Sequence, residues 1–169
     1  MIEMLSVRLR FLVLLGCATC VAAAAQGPVQ PVSWSISASP VASTKDGGRL
    51  TLDLNAQFAE GWHVYGLNQM EGGPTPLRIA VDPNGVVQPA GIPSGTPPTK
   101  KHDTSFDLET EVYLKSISLH VPVQVKPHTP AGNQEVGVNV RFQACNDHVC
   151  LPPKTVYLTV PVQIPSGTP

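Results

Sequence analysis

The chain has 169 residues, with 11 basic and 12 acidic side chains and a formal net charge of −1 at pH 7. There is no basic stripe, so we do not expect a nucleic acid as a partner. The 18 prolines and 14 glycines argue against long helices. A chain of this length favours one mostly β domain with a sizeable core.

The N-terminus has the pattern of an export signal. Two arginines precede an apolar run over residues 11–25, which is short for a membrane span because a span needs roughly 20 apolar residues. The run ends in small residues that suit cleavage. We therefore predict a signal peptide over residues 1–25 and a mature domain over residues 26–169. A retained anchor helix and a lipoprotein acylated at Cys17 are the alternatives.

Period-two alternation of apolar and polar residues recurs along the chain and predicts strands. In chain order, the predicted strands cover residues 32–36, 50–56, 62–65, 76–81, 112–125, 136–142 and 156–164. Pro122 lies inside the longest of them and predicts an edge or a bulge. Residues 71–75 are predicted as a tight connection and residues 88–104 as a long loop. About seven to nine short strands with turns between them predict an all-β, two-sheet sandwich.

Two cysteines remain in the predicted mature chain, Cys145 and Cys150. Alternation sends the valines of strand 136–142 to one face and Cys145 to the other. Residues 146–149 are rich in turn formers and close a hairpin. This places the two cysteines opposite each other, about 4.5–5.5 Å apart at Cα, which a disulfide accepts. Two prolines after Cys150 stop the ladder and leave that cysteine open to a partner.

Spacing alone does not decide the role of this pair. In an oxidising compartment the pair can form and keep a disulfide. Closure of so short a loop stabilises a fold by only about 2 kcal/mol, so a static disulfide and a redox-active one both stay open. A metal site at Cys145, His148 and Cys150 is a third possibility, but it has no evident fourth ligand. We therefore predict no metal and no cofactor.

The segment FQACNDHVCLPP, residues 142–153, resembles the cysteine hairpin of the DsbD N-terminal domain family, the periplasmic domain of a thiol:disulfide interchange protein. GWHVY at 61–65, GGPTPLRIAV at 72–81 and the segment from Phe106 to TEVY at 110–113 resemble further parts of that family in the same order. The resemblance spans about residues 50–162. It implies an immunoglobulin-like β-sandwich with an inserted redox subdomain, made of the cysteine hairpin and a cap loop, in the periplasm.

The resemblance also implies roles for individual residues. Cys150 would form the mixed disulfide with thioredoxin-like periplasmic partners, and Cys145 would resolve it. Phe106 would be the cap aromatic that shields the disulfide. His63 and Tyr65 would line the site. Trp62, Asp103 and His148 are further candidate site residues, and Asp103 is close to the family's acidic position but shifted from it. Of these, the two histidines are candidates to stabilise a thiolate as cations.

The chain departs from the family pattern in three ways. It has one residue fewer between the cysteines, and it has Thr104 and Ser105 where the family has acidic residues before the cap aromatic. The family protein also continues into a membrane domain and a thioredoxin domain, whereas this sequence ends at Pro169. We therefore expect a separate membrane electron-transfer protein to supply electrons.

The sequence thus predicts a thiol:disulfide exchange module, with protein-disulfide reductase activity as the enzyme class to test. The alternative is a non-catalytic sandwich that binds a protein or a metal and carries a static disulfide. No constellation for acyl, phosphoryl or glycosyl transfer is present.

Overall fold

The structure is a computed structural model that describes residues 30–44 and 47–166. The predicted signal peptide over residues 1–25 and the lipidation candidate Cys17 lie outside these residues. The described residues contain no helix, and so none that is long and apolar enough to cross a membrane. They form thirteen β-strands: β1 Val32–Ala38, β2 Ala42–Thr44, β3 Gly47–Phe58, β4 His63–Tyr65, β5 Arg78–Val81, β6 Val87–Pro89, β7 Ser94–Gly95, β8 Thr99–Asp103, β9 Leu108–Leu114, β10 Ser116–Val125, β11 Gly132–Phe142, β12 Ala144–Cys145 and β13 Lys154–Ile164.

Two antiparallel sheets form the sandwich. The first has the order β1-β3-β10-β6, with β2 beside β3 and β7 beside β10, and the second has the order β13-β11-β5. Alternate residues of β3 and β10 are buried, such as Leu52, Leu54 and Leu119, and they share one hydrophobic core with Val138 and Val140 of β11. The predicted all-β, immunoglobulin-like two-sheet sandwich is confirmed, and alternation is what creates its two inner faces.

A third, smaller sheet is inserted into this sandwich. Its order is β12-β4-β9-β8, and every pairing in it is antiparallel. We call β8, β9 and the turn between them the cap hairpin. We call β12, the turn at residues 146–149 and Cys150 the cysteine hairpin. The small sheet therefore brings two hairpins together that are far apart in sequence.

The prediction of a loop over residues 88–104 is wrong. This stretch contains the end of β6 and all of β7 and β8. The side chains of β7 and of most of β8 are exposed, so these strands carry no apolar alternation that a sequence pattern could reveal. They are held by backbone pairing to β10 and β9.

The prediction of a single strand over residues 112–125 is also wrong. The chain changes sheets at Lys115, which has a left-handed backbone with φ of 67°. Residues before it pair in the small sheet and residues after it pair with β3. Apolar alternation continues on both sides of Lys115, so the pattern conceals the break.

Pro122 lies inside β10 in unbroken register with β3, so it is not at a bulge. On its other side it falls between the residues of β10 that pair with β6 and those that pair with β7, which makes a local edge there. Its carbonyl accepts a hydrogen bond from the Ala90 amide at 3.0 Å. The N–H and C=O of a strand residue point to the same side, so the missing N–H faces the gap where β6 has ended and β7 has not begun. The ladder to β3 loses no hydrogen bond.

Candidate functional site

The turn of the cysteine hairpin is built around Asn146. Its backbone N–H donates to the carbonyl of Val149 at 2.9 Å. Its side-chain Oδ1 accepts from the backbone N–H groups of His148 and Val149, each at 2.9 Å. An asparagine that bonds the backbone two and three residues onward is a strong turn former. The turn therefore sets the two cysteines opposite each other without help from the sulfurs.

Cys145 and Cys150 are joined by a disulfide with Cα atoms 4.1 Å apart. While the sulfurs are joined they are not available as thiolate metal ligands, and no group of three His, Cys, Asp or Glu residues within 30–44 and 47–166 is arranged to hold a metal ion. The two cysteines differ in exposure, because Cys145 is only 1% exposed while Cys150 is half-buried. An attacking thiolate would therefore reach Cys150 first.

His63 lies beside the disulfide in the small sheet. It pairs with Cys145 on one side and with Leu114 on the other, so its imidazole is on the same face as the sulfurs. His63 is buried, and this burial, together with the positive charge of Lys101, lowers its pKa. The structure thus favours a neutral imidazole here, rather than a cation.

Tyr65 joins the cap hairpin to the disulfide. Its hydroxyl donates to Oδ2 of Asp103 at 2.7 Å and lies 4.0 Å from Sγ of Cys150. Burial and the bond to Asp103 raise the pKa of Tyr65. Burial alone would raise the pKa of Asp103, but hydrogen bonds from Tyr65 and from the Ser105 amide lower it. The pair is therefore a neutral phenol that donates to a carboxylate.

Phe106 lies in the turn of the cap hairpin and packs at the disulfide site. Phe106 and Cys150 pack against a small cluster of Tyr65, Val112 and Cys145 that is separate from the main core. The Phe106 and Tyr65 rings meet edge to face, with centroids 6.2 Å apart, an arrangement that aromatic pairs favour. The cap role that the resemblance implies for Phe106 stays a prediction.

A cavity of about 230 Å³ lies between the two hairpins. It is lined by His63, Tyr65, Lys101, His102, Asp103, Thr104, Ser105, Cys145, Asn146, Asp147 and Cys150. A larger cavity of about 380 Å³ involves Met70, Lys100 and Glu111 and does not touch the cysteines. The chemistry that involves the disulfide therefore belongs to the smaller cavity.

The structure brings together six of the eight residues named from the sequence: Cys145, Cys150, His63, Tyr65, Asp103 and Phe106. The other two lie elsewhere. Trp62 precedes β4 and packs against the main core, whereas its neighbour His63 lines the disulfide cavity. His148 is exposed in the turn and does not line the cavity.

Three charged or titratable residues of the cavity wall were missed: Lys101, His102 and Asp147. Lys101 and Asp103 lie two residues apart, so they share a face of β8. Had β8 been recognised as a strand, this spacing would have placed Lys101 beside the site.

The family model described as "Thiol:disulfide interchange protein DsbD, N-terminal" matches residues 35–161. The chain belongs to this family. No curated protein matches it. Together, DsbD family membership and the disulfide-bonded pair support a thiol:disulfide exchange module, and the family is periplasmic.

Seven chains of solved structures resemble this chain, among them two N-terminal domains. The N-terminal domain of DsbD from Neisseria meningitidis, in the reduced form, is 19% identical, with a TM-score of 0.46, over 76% of this chain and 83% of that one. The N-terminal periplasmic domain of ScsB from Proteus mirabilis is 17% identical, with a TM-score of 0.50, over 76% of this chain and 44% of that one. At this identity the ScsB domain supports the fold alone.

Proposed function

We propose that the chain passes electrons between thioredoxin-like periplasmic proteins by exchange at the Cys145–Cys150 disulfide. The observation that carries this proposal is the asymmetry of the disulfide. Cys145 is buried, whereas Cys150 is partly exposed at the wall of a cavity and packs, like Phe106, against the cluster of Tyr65, Val112 and Cys145. A disulfide that served only to staple the hairpin would not need this arrangement, since Asn146 already closes the turn.

In the first step a partner thiolate attacks Sγ of Cys150. A bond forms between the partner sulfur and Cys150 while the Cys145–Cys150 bond breaks, and the electron pair goes to Cys145, which takes up a proton. The second thiol of the partner, as its thiolate, then attacks the partner's own sulfur in the mixed disulfide. The partner leaves with a disulfide, and the chain keeps two electrons as two reduced cysteines.

The second half-reaction runs the same chemistry toward an oxidised client. The Cys150 thiolate attacks the client disulfide, and one client sulfur leaves as a thiolate. Cys145 then attacks Cys150 in the mixed disulfide, which closes the intramolecular bond and releases the reduced client. Cys145 suits the resolving role because it is buried beside Cys150 and out of reach of a second partner.

The proposed electron source is a membrane electron-transfer protein acting through a thioredoxin-like carrier. We also propose export through a signal peptide over residues 1–25. The mass of the protein purified from cells tests this part. A first residue at Gln26 supports cleavage, whereas an acylated Cys17 at the N-terminus would make the protein a lipoprotein.

Mixed-disulfide trapping tests the exchange function. A thioredoxin-like protein that keeps only its attacking cysteine is activated as a mixed disulfide with thionitrobenzoate and is incubated with the reduced variants Cys145→Ser and Cys150→Ser. The remaining free cysteine of the variant attacks the partner sulfur, and thionitrobenzoate leaves as the thiolate. We expect a covalent complex with the Cys145→Ser variant and none with Cys150→Ser. A complex through Cys145 alone would reverse the two assignments.

The potential of the disulfide tests the function independently of any partner. Exchange with periplasmic reductants requires a potential above about −300 mV. Equilibration with a dithiol buffer and thiol alkylation give this value for the folded protein. A disulfide that resists mild dithiols in the folded state would be a static one, and the exchange function would be wrong.

A further inference from the structure

An ion pair joins the two hairpins at the wall of the disulfide cavity. Nζ of Lys101 lies 3.7 Å from Oδ1 of Asp147, and both side chains line the cavity that holds Cys145 and Cys150. Lys101 belongs to β8 of the cap hairpin, and Asp147 belongs to the turn of the cysteine hairpin. The pair therefore bridges the cap and the segment that the cap covers.

We propose that Lys101 and Asp147 are positioning residues that latch the cap hairpin over Cys150 and so limit the rate at which a thiol reaches it. The inference rests on the proposed exchange function, because a latch has a consequence only if Cys150 is attacked. It adds to that function two residues that touch neither sulfur in the chemical steps.

The position of Lys101 on β8 supports this role. Lys101 and Asp103 lie on the same face of the strand. Asp103 accepts a hydrogen bond from Tyr65 and so joins β8 to β4. Lys101 forms the ion pair with Asp147 and so joins β8 to the turn of the cysteine hairpin. Phe106 follows in the turn after β8 and packs against the cluster that contains Tyr65 and Cys145. β9 is held by β4 in the small sheet, so the movable part of the cap hairpin is β8 with the turn, and this part cannot move away from the cysteine turn unless Lys101 and Asp147 separate.

The strength of the contact suits a latch that must open. The Lys101 and Asp147 side chains are 51% and 81% exposed. An ion pair so exposed is weak and is screened by salt. If the cap opens before attack, the observed rate follows the open fraction, and loss of such a pair raises that fraction by about two- to fivefold.

A simple electrostatic effect predicts a different outcome. The attacking thiolate is an anion, so removing the positive charge of Lys101 would slow its approach, and removing the negative charge of Asp147 would speed it. A latch predicts that both changes speed the reaction, because either one breaks the same contact. One variant that loses a positive charge and one that loses a negative charge therefore distinguish a latch from an electrostatic effect on the attacking thiolate.

The experiment measures the rate at which dithiothreitol reduces the oxidised protein at about 0.15 M salt. We expect Lys101→Ala and Asp147→Asn each to be reduced about two- to fivefold faster than the unaltered protein. The exchanged pair, Lys101→Asp with Asp147→Lys, should return to the original rate. Lys100→Ala is the matched control, because Lys100 is the neighbouring lysine on the opposite face of β8 and should leave the rate unchanged.

Each remaining outcome contradicts the latch. Rates that move in opposite directions would show that charge acts on the attacking thiolate. Unchanged rates in both single variants would show that the contact does not hold the cap. Failure of dithiothreitol to reduce the unaltered folded protein would instead overturn the exchange function, so the two failures are distinguishable.

Discussion

The hydroxyl of Tyr65 lies 4.0 Å from Sγ of Cys150, the more exposed sulfur of the disulfide. In the oxidised protein the hydroxyl hydrogen is donated to Asp103. Reduction puts a thiol or thiolate at Cys150, and a thiolate is a stronger acceptor than a disulfide sulfur. The single hydroxyl hydrogen of Tyr65 stabilises this thiolate only if it turns from Asp103 toward Cys150 on reduction.

If the hydroxyl turns in this way, replacing Tyr65 by phenylalanine should raise the pKa of the Cys150 thiol in the reduced protein, since it removes a hydrogen-bond donor to the thiolate. The aromatic ring that packs on Phe106 and His63 would remain. The pH dependence of alkylation by iodoacetamide, measured in the Cys145→Ser background, reports this pKa directly.

Tyr113→Phe is the control for the loss of a buried tyrosine hydroxyl. Tyr113 is also buried, and its pKa is also raised, by burial and by the charge of Glu111. It packs in the main core on the other face of the small sheet, away from the sulfurs. An equal pKa shift in both variants would mean that Tyr65 has no specific effect on Cys150.

Truncating Phe106 to alanine should expose the disulfide. The edge-to-face contact with Tyr65 is lost, and contacts of this kind contribute about 0.5–1.5 kcal/mol. Reduction by dithiothreitol should therefore accelerate roughly two- to tenfold if this contact holds the cap closed. Leu114→Ala is the comparison, because it removes an exposed apolar side chain at the far end of β9. Ile92→Ala is a further comparison, because Ile92 is an exposed apolar residue outside the small sheet, whereas Leu114 shares the row of His63 and Cys145. No acceleration in Phe106→Ala, or an equal one in Ile92→Ala, would rule out shielding by Phe106.

The disulfide should contribute little to the stability of the fold. The cysteines are five positions apart, and closure of so short a loop is worth about 2 kcal/mol at most. The hydrogen bonds of Asn146 already hold the turn, which reduces this further. Urea unfolding of the oxidised and reduced proteins should differ by about 2 kcal/mol or less in the free energy of unfolding. Loss of the fold on reduction would indicate a structural disulfide.

The cysteine hairpin could be predicted from sequence because its signals are local. Strand alternation, the turn formers at residues 146–149 and the cysteine spacing all act within one hairpin. The structure retains all three, and Cys145 faces away from the main core as the alternation requires.

The cap hairpin could not be derived in the same way. β8 is exposed at four of its five residues, so hydrophobic patterning gives no signal for it. Its position depends on backbone pairing with β9 and on contacts such as Lys101–Asp147, which join residues 46 positions apart in sequence. Phe106 could be placed there only through resemblance to the family.

The buried His63 should make the stability of the fold depend on pH near neutrality. Burial lowers its pKa from the usual value of 6.5, so the unfolded chain takes up a proton before the folded chain does as the pH falls. The stability that depends on a neutral His63 is therefore fully present above about pH 6.5. It is lost as the pH falls from there toward the lower pKa of His63 in the folded state. The free energy of unfolding, measured in urea at about pH 8 and about pH 5.5, should decrease at the lower pH.

In His63→Phe this decrease should become smaller. Each variant is compared with itself at the two pH values, so a constant change in packing cancels. His148→Gln replaces an exposed histidine of the turn and should keep the full decrease. The same pH dependence in His63→Phe as in the unaltered protein would show that His63 is not the group responsible.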